Sequence, residues 1–580
     1  MIIETKKVVK SFIDENFKDH SIEFEVTIPE DISKGNLTCN AALILANRVK
    51  LQPHEVAEQL VKPLEKQDFI NKVEVAGPGF INIFLTDDAF LNVVKEIRED
   101  ITQLITQVEK PEKILIEFVS SNPTGPLHVG HGRGGVYGDT IARLLRLKGH
   151  KIHTEYYVND AGRQMDILTA SVWFRIAGID DNEFPASGYK GTYIKNIATR
   201  WGDNNVDSSI IDEIQKLISF KDLPEDDEER IDFLIEQLKL ITESSWGAVK
   251  NLALESMLDS IQDDLSSFGI NFDLWFSEST LLEPSLTKKS KFQLMKDSLK
   301  EDDFEIDASG NVWFLSTNYG DDKDRVLIRD DGRPTYFGTD VAYHLDKLQR
   351  GFDTLINIWG SDHHGYIKRI AASIQSLGYD SSQFKVQLVQ FANLIKDGSK
   401  IKMSTRSGNF YSLSKLIDEV GKDAARFFYL FKQADQHMDF DIDMAVSNSK
   451  ENPFYYIQYG HARICSLQAK ANLANTEVGS LNLEHLPNSC LSIVHELSKF
   501  PMIFDQACHK LTPHLLIFYL RDLTALFHRF YNEHNILDAP NEEKIAILQV
   551  LDAVKKTISF TFSTLGTVSY THLTLPTSYA

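Results

Sequence analysis

Cysteine is scarce in this 580-residue chain: there are four, Cys39, Cys465, Cys490 and Cys508, far apart and without a CxxC pair. That spacing argues against a disulfide framework and a zinc ribbon, and suits a reducing compartment such as the cytoplasm. No run of about eighteen apolar residues occurs, so nothing is expected to cross a membrane. The N-terminal MIIETKKVVKSFIDENF lacks the continuous apolar block of a signal peptide. Its Ile3, Val8, Val9, Phe12 and Phe17 instead predict an amphipathic helix. Positive charge is in deficit, with 61 Lys and Arg against 83 Asp and Glu and a net charge of −22. That balance points away from a protein that coats nucleic acid non-specifically, while leaving room for one local basic face. Internal repeats and low-complexity tracts are also missing, and a chain of this length is expected to form roughly three to five domains.

What is present is ordered. Residues 1–108 read as a separate α+β unit, in which helical patterning gives way to VEVAGPGFINIFL (Val73 to Leu85): strand, Pro-Gly turn, strand. VEKPEK then makes a polar, proline-bearing joint. Beyond it, ILIEFVS reads as a short buried strand, SSNPTGPLHVGHGRGG as a glycine-rich loop, GVYGDTIARLLRLKG as a helix ended by Gly149, and KIHTEYYVND as a second strand. Strand, loop, helix and strand within about fifty residues make a βαβ unit, which implies a parallel sheet. From about 170 to 300 the pattern is mostly helical, with the acidic EDDEER (Glu225 to Arg230) as a solvated helix start. TLINIWGSDHHGY (Thr354 to Tyr366) and QLVQFANLI (Gln387 to Ile395) read as later strands of the same sheet, and helices dominate after about 415.

Open parallel sheets bind ligands outside the carboxyl ends of their strands. Here those ends run into SNPTGPLHVGH, NDAGRQ, SDHHGY and KDGSKIKMSTRSG, all polar or glycine-rich, so they point to one cleft. His128 and His131 stand at a helix entrance, where glycine lets a phosphate or adenine approach and the helix dipole favours negative charge. Two imidazoles three residues apart can donate to phosphate oxygens as charge develops. The competing readings are a metal pair, short of further ligands nearby in sequence, and a glycine turn with incidental histidines. KIKMSTRSG (Lys400 to Gly408) brings three cations, fit to neutralise a polyphosphate or to decorate a surface turn. Glu117 interrupts an otherwise apolar strand, and a buried carboxylate needs a cationic partner or a bound ligand. Asp340, ahead of VAYHLDKL, suits a helix N-cap. Tyr455 and Tyr459 share a helix face, suited to packing in a bundle or to stacking on unpaired bases with Arg463 alongside.

HVGH and KMST resemble the two signatures of class I aminoacyl-tRNA synthetases, whose consensus forms read HIGH and KMSK. IEFVSSNPTGPLHVGHGRG, YYVNDAGRQ, FDLWFSES, DGRPTYFGTDVAYH, WGSDHHGYIKR, KMSTRSGNF and NPFYYIQYGHARICSL are similar, in order, to one branch: the arginyl-tRNA synthetases. With GNLTCNAAL and VAGPGFINIFL the resemblance spans about Gly35 to Leu565. It implies a multidomain α/β chain: an N-terminal α+β domain (1–108) for the tRNA elbow, and a Rossmann-like parallel-sheet catalytic domain (109–415) with a helical insertion (about 170–300). A linker or stem-contact segment (416–446) and an all-α anticodon-binding bundle (447–567) follow. The implied reaction joins L-arginine to ATP as arginyl-adenylate, releases pyrophosphate, and passes arginine to the 3′ end of tRNA(Arg). Mg²⁺ accompanies ATP, exchange is expected to need bound tRNA, and the enzyme is expected to be a cytoplasmic monomer.

The same resemblance assigns His128, His131 and Lys402 to catalysis, with Gly130, His364, Lys400, Ser404 and Arg406 completing the ATP site. Glu117, Glu278 and Asp340 are assigned to the guanidinium, with Tyr336 packed against it. Asn122, Asp362 and His363 are assigned to the α-amino and carboxylate groups, and one of His363 and His364 is expected to bind while the other packs. Tyr455, Tyr459 and Arg463 are assigned to tRNA. Two departures stand out. Thr405 occupies the place of the second signature lysine, and NPTGPL lacks the lysine sometimes found before the histidines, so Lys400, Lys402 and Arg406 are expected to carry the load. The ending TVSYTHLTLPTSYA is unlike the family's, and 568–580 is expected to be a non-native tail. Two rivals are disfavoured: an adenylate-forming relative for another acid would lack the helical tail or show zinc ligands, and a non-catalytic tRNA-binding paralogue would show a decayed HVGH.

Overall fold

Short β-branched runs bounded by polar joints frame the middle of the chain. In this computed structural model, which describes all residues except 18–19, 21, 30, 203–206, 221–222, 285–288, 402–410, 472–480 and 572–580, they form a five-stranded parallel sheet. Its strands are β1 (Lys113–Glu117), β2 (Lys151–Val158), β3 (Leu274–Ser277), β4 (Thr354–Gly360) and β5 (Phe384–Val389), in the order β5-β4-β1-β2-β3. The order reverses between β1 and β4, so the crevice beyond their carboxyl ends is where such a sheet takes its ligand. Helix α1 (Val129–Leu147) makes the crossover from β1 to β2, and Gly149 follows it at φ 91°, a left-handed closure that glycine permits.

The contacts divide the chain into two units, Val108–Asn448 with Leu565–Thr567, and Met1–Gln107 with Ser449–Thr564 and Val568–Ala580. In the first, the stretch from about 170 to 300 is mostly helical as expected but contains β3, an edge strand that the helical pattern conceals. The acidic run starts a helix, Asp227–Thr242, with Asp226 accepting the N–H groups of Glu228 and Glu229 at 2.9 and 3.0 Å. QLVQFANLI does not form one strand. It splits between β5 and β6 (Ala392–Lys396), which joins β7 (Ser399–Lys400) and β8 (Met438–Asp441) in a separate three-stranded sheet. The split has a physical cause at Gln390, whose N–H is taken by Ala434 O and whose carbonyl accepts from the buried Arg133 guanidinium, both at 2.8 Å. Neither group remains for the β5 ladder.

In the other unit, Ile70–Ala76 and Phe80–Leu85 pair antiparallel around the expected turn, inside a four-stranded sheet. Gly79 at φ 129° leaves no room for a side chain: a Cβ there would lie 2.9 Å from Pro53 Cβ. The N-terminal helix, Ile2–Asn16, is present, but its buried stripe is Thr5, Val9 and Ile13, and Phe17 falls beyond its end. Helices Pro453–Lys470, His514–Glu533 and Asn541–Thr564 make the body of the C-terminal bundle. Val568 O and Tyr570 N–H are bonded to the Gln458 amide at 2.7 and 2.8 Å, so part of the stretch from 568 docks on the bundle by its backbone. Among the described residues no helix is long and apolar enough to cross a membrane.

Candidate active site

Ile114, Leu115 and Ile116 bury β1 in the sheet, and Glu117, only 7% exposed, closes it. Its cationic partner is Lys347, fully buried on α2 (Tyr336–Gln349), whose Nζ donates to Glu117 Oε2 at 2.5 Å and lies 4.1 Å from the Tyr343 ring centre. Asn357 stands opposite Glu117 in the β4–β1 register and donates to the same oxygen at 3.0 Å, while its own Oδ1 accepts from Lys347 at 3.3 Å. Ser120 Oγ donates to Glu117 Oε1 at 3.0 Å. The network continues to His344, whose Nε2 meets Asn357 Nδ2 at 3.2 Å and whose Nδ1 meets Asp340 O at 2.8 Å. A neutral His344 protonated on Nδ1 satisfies every one of these contacts. Burial, then the Lys347 charge, holds its pKa well below the ordinary histidine value. Just past Glu117, Val119 (φ 69°) and Ser120 (φ 41°) are both left-handed, a conformation that costs a non-glycine residue about 1–3 kcal/mol and clusters at functional sites.

Two further carboxylates face this end of the sheet. Glu278 follows β3, is 5% exposed, and has its pKa raised chiefly by burial. With the Asn159 amide oriented to suit its neighbours, the Asn159 nitrogen donates to Glu278 Oε2 at 2.6 Å and to Ala161 O at 3.2 Å, and its oxygen meets the Asn122 amide at 3.0 Å. Asp340 does not cap a helix. Thr335 is the N-cap of α2, its Oγ accepting from Gly338 N–H at 3.2 Å, so Asp340 lies in the second turn. Tyr366 donates to Asp340 Oδ2 at 2.5 Å. Burial pushes the Asp340 carboxyl up to about 7; the Tyr366 hydrogen bond opposes the rise, and the Glu117 and Glu278 charges add to it. The pKa of Tyr157 on β2 is raised first by burial and then by the charges of Glu278, Asp340 and Glu117, which puts it near all three acids. Glu117, Glu278 and Asp340 are therefore near one another, and the Lys347 cation is paired with Glu117.

His128 is the N-cap of α1, and HVGH forms its first turn. His128 Nδ1 accepts from Gly130 N–H at 3.1 Å, His131 Nδ1 accepts from His128 N–H at 3.2 Å, and the rings stack at 3.8 Å. Both protons are thereby assigned to Nε2, leaving two N–H donors on neutral rings. Burial lowers the pKa of both, that of His131 to about 3. Gly130 is needed for a reason the sequence did not suggest: a Cβ there would lie 2.8 Å from His128 Cε1 and 3.2 Å from a Phe391 ring carbon. The folded-back imidazole and Phe391 already demand a glycine there. The Phe391 ring also lies 3.4 Å from where a Gly360 Cβ would be, so it spans the ends of α1 and β4, and it is 49% exposed.

The remaining assigned residues are more open. Asn122, Asp362, His363 and His364 are exposed, so neither histidine is the packed one that was expected; His363 Nε2 lies 3.7 Å from Asp362. Tyr336 opens α2 and is 59% exposed. Lys400 pairs with Asp439 at 3.3 Å. Lys402, Ser404 and Arg406, with Thr405, lie outside the described residues. On the bundle, Tyr455 and Tyr459 are half-buried rather than core, their rings parallel within 3° at 6.1 Å. The Arg463 guanidinium lies 4.7 Å from the Tyr459 ring and 4.4 Å from the Tyr531 ring.

Comparison with known proteins bears on this arrangement. The family described as tRNA synthetases class I (R), catalytic domain, matches residues 93–449; the arginyl tRNA synthetase N terminal domain matches 4–85; and the DALR anticodon binding domain matches 457–573. The arginine–tRNA ligase of Thioalkalivibrio sulfidiphilus is 42% identical over 94% of this chain and 95% of its own. The chain belongs to the arginyl-tRNA synthetase family. The arginine–tRNA ligase of Hydrogenovibrio crunogenus is likewise 42% identical, over 95% of this chain and 96% of its own. The Thermus thermophilus arginyl-tRNA synthetase structure shares the fold, with a TM-score of 0.75 at 19% identity over 99% of this chain and 100% of that one.

Within the family frame, three residues that the sequence reading passed over hold the site together: Lys347, Asn357 and Arg133. Asn357 carried the same signal as Glu117, a polar residue inside an apolar strand. Lys347 lies seven residues beyond Asp340, two helical turns along α2. Arg133, 1% exposed, stands inside HVGHGRGG itself and donates to the carbonyls of Gln390, Gln433 and Gln436 at 2.7–2.8 Å.

Proposed function

We propose that the acid-lined end of the sheet takes the guanidinium of L-arginine while the imidazoles of α1 hold the phosphates of ATP. The chain is an arginine–tRNA ligase. It activates arginine with ATP and charges tRNA(Arg), as its membership of the family establishes. In the first half-reaction the arginine carboxylate attacks the α-phosphorus, forming the acyl-phosphate bond as the bond to the β-phosphate oxygen breaks and pyrophosphate leaves. The 3′-terminal ribose hydroxyl then displaces AMP. No covalent enzyme nucleophile is required, only placement and charge stabilisation.

The observation that carries the residue assignment is the trio of Glu117, Glu278 and Asp340 around Tyr157. A planar, permanent cation is the ligand that suits such a set of carboxylates. Because Lys347 already neutralises Glu117, Glu278 and Asp340 would carry the ion pairing, with Tyr336 flanking the guanidinium and Asn122, Asp362 and His363 reaching the α-amino and carboxylate groups. His128 and His131 would donate from Nε2 to phosphate oxygens. Lys400, Lys402 and Arg406 would neutralise the pyrophosphate, with Ser404 and His364 completing the ATP site. Magnesium would enter with ATP, held by its phosphate oxygens. Tyr455, Tyr459 and Arg463 would meet tRNA, with 1–108 at its elbow, 416–446 at its stem and 447–567 at its anticodon. The enzyme would work as a cytoplasmic monomer, which sedimentation at assay concentration tests.

Charging of total tRNA with each amino acid in turn should succeed with arginine alone, and pyrophosphate exchange should require tRNA. Charging with another amino acid would overturn the reading. A pH dependence follows as well. Guanidinium binding favours ionised Asp340, whose pKa is raised to about 7 in the folded protein. Arginine KM is therefore expected to rise as pH falls below about 7, approaching about tenfold per unit. Tyr366→Phe removes a hydrogen bond that lowers this pKa, so it should move the limb to higher pH. His131, its pKa lowered to about 3, should not contribute to that limb.

A further inference from the structure

The chain that follows the second signature is joined by backbone to the first. Upstream, β6 and β7 form a hairpin turned at Asp397 (φ 49°) and Gly398 (φ 70°), the doubly left-handed turn whose twist suits a two-residue hairpin. It ends as Ile401 N–H donates to Leu394 O at 2.9 Å. The chain described again from Tyr411 runs antiparallel to HVGH: His128 bridges Ser412, Val129 N–H donates to Tyr411 O at 3.2 Å, and Leu413 N–H donates to Leu127 O at 2.9 Å. Tyr429 Oη adds a bond to Val129 O at 2.7 Å. The register of Tyr411–Leu413 therefore bears directly on the N-cap imidazole.

One side chain spans both sides of this arrangement. Glu419, on α3 (Leu413–Val420), accepts from Lys396 Nζ at the end of β6 and from the Tyr411 hydroxyl. Lys415 Nζ covers the Tyr411 ring at 4.5 Å. We propose that Glu419 is a positioning residue for adenylate formation: its carboxylate ties the chain on either side of residues 402–410 together and fixes the Tyr411–Leu413 backbone against His128. The inference rests on the arginine–ATP reading above. Glu419 and Lys396 are 27% and 37% exposed, and exposed ion pairs contribute little to stability. Their effect is geometric: displacement of a reacting group by about 1 Å can cost about a hundredfold in rate.

The test is arginine-dependent ATP–pyrophosphate exchange, with tRNA present, for the full chain as wild type, Glu419→Gln, Tyr411→Phe and the double variant. Each single variant should lose about tenfold or more in kcat, with arginine KM within about twofold of wild type and an unchanged thermal midpoint; the double should be no worse than either single. A wild-type rate in Glu419→Gln, a matching rise in arginine KM, or losses that multiply in the double would overturn the clamp while leaving the arginine reading intact. Wild type without arginine-dependent exchange would overturn both.

Discussion

Lys347→Met is expected to lower the unfolding free energy of the catalytic unit by about 3–5 kcal/mol, the usual cost of removing one partner from a buried ion pair. The cause is the carboxylate left behind. Glu117 is 7% exposed and would keep only Asn357 and Ser120 as donors. Glu117→Gln in the same background removes that orphaned charge, and replacing a buried pair on both sides is often close to neutral. Urea unfolding of the two single variants and the double should therefore show strong coupling. Additive losses would mean that the pair does not interact as described. Saturating arginine should stabilise Lys347→Met more than wild type, because the ligand's guanidinium replaces part of the missing charge.

The second large effect falls on substrate binding. Asp340→Asn should raise arginine KM by about ten- to a hundredfold, since a hydrogen bond to a charged group is worth about 1.5–3 kcal/mol. ATP KM should barely move, because the imidazoles of α1 are separate from this carboxylate. Asparagine does not titrate, so the acidic limb that Asp340 gives the wild-type profile should vanish. Equal damage to ATP and arginine binding, or a limb that persists, would remove Asp340 from the guanidinium pocket.

The parallel sheet and the position of its crevice were legible because strand, glycine loop, helix and strand follow one another within a short span. Glu117 was legible because it breaks an apolar run, and the demand for a cation followed from burial, although not the cation's identity. Lys347 was not, since a lysine on a helix reads as solvated until the fold encloses it. Asp340 was misread as a cap because the helix begins earlier, at Tyr336 behind Thr335, where a tyrosine and a phenylalanine mask the start. The break in QLVQFANLI depends on Arg133, 257 positions away, and no local pattern carries that. Gly130 was expected to let a ligand approach, and its second requirement, room for the His128 ring, depends on a side-chain conformation that the sequence does not show.

The most direct measurement is a crystal structure with a non-hydrolysable arginyl-adenylate analogue. The guanidinium should lie within about 3 Å of the Asp340 and Glu278 carboxylates, hydrogen-bonding distance for charged partners, with the adenylate phosphate beside His128 and His131 Nε2. A guanidinium bound away from both acids, or a phosphate remote from the α1 entrance, would contradict the account.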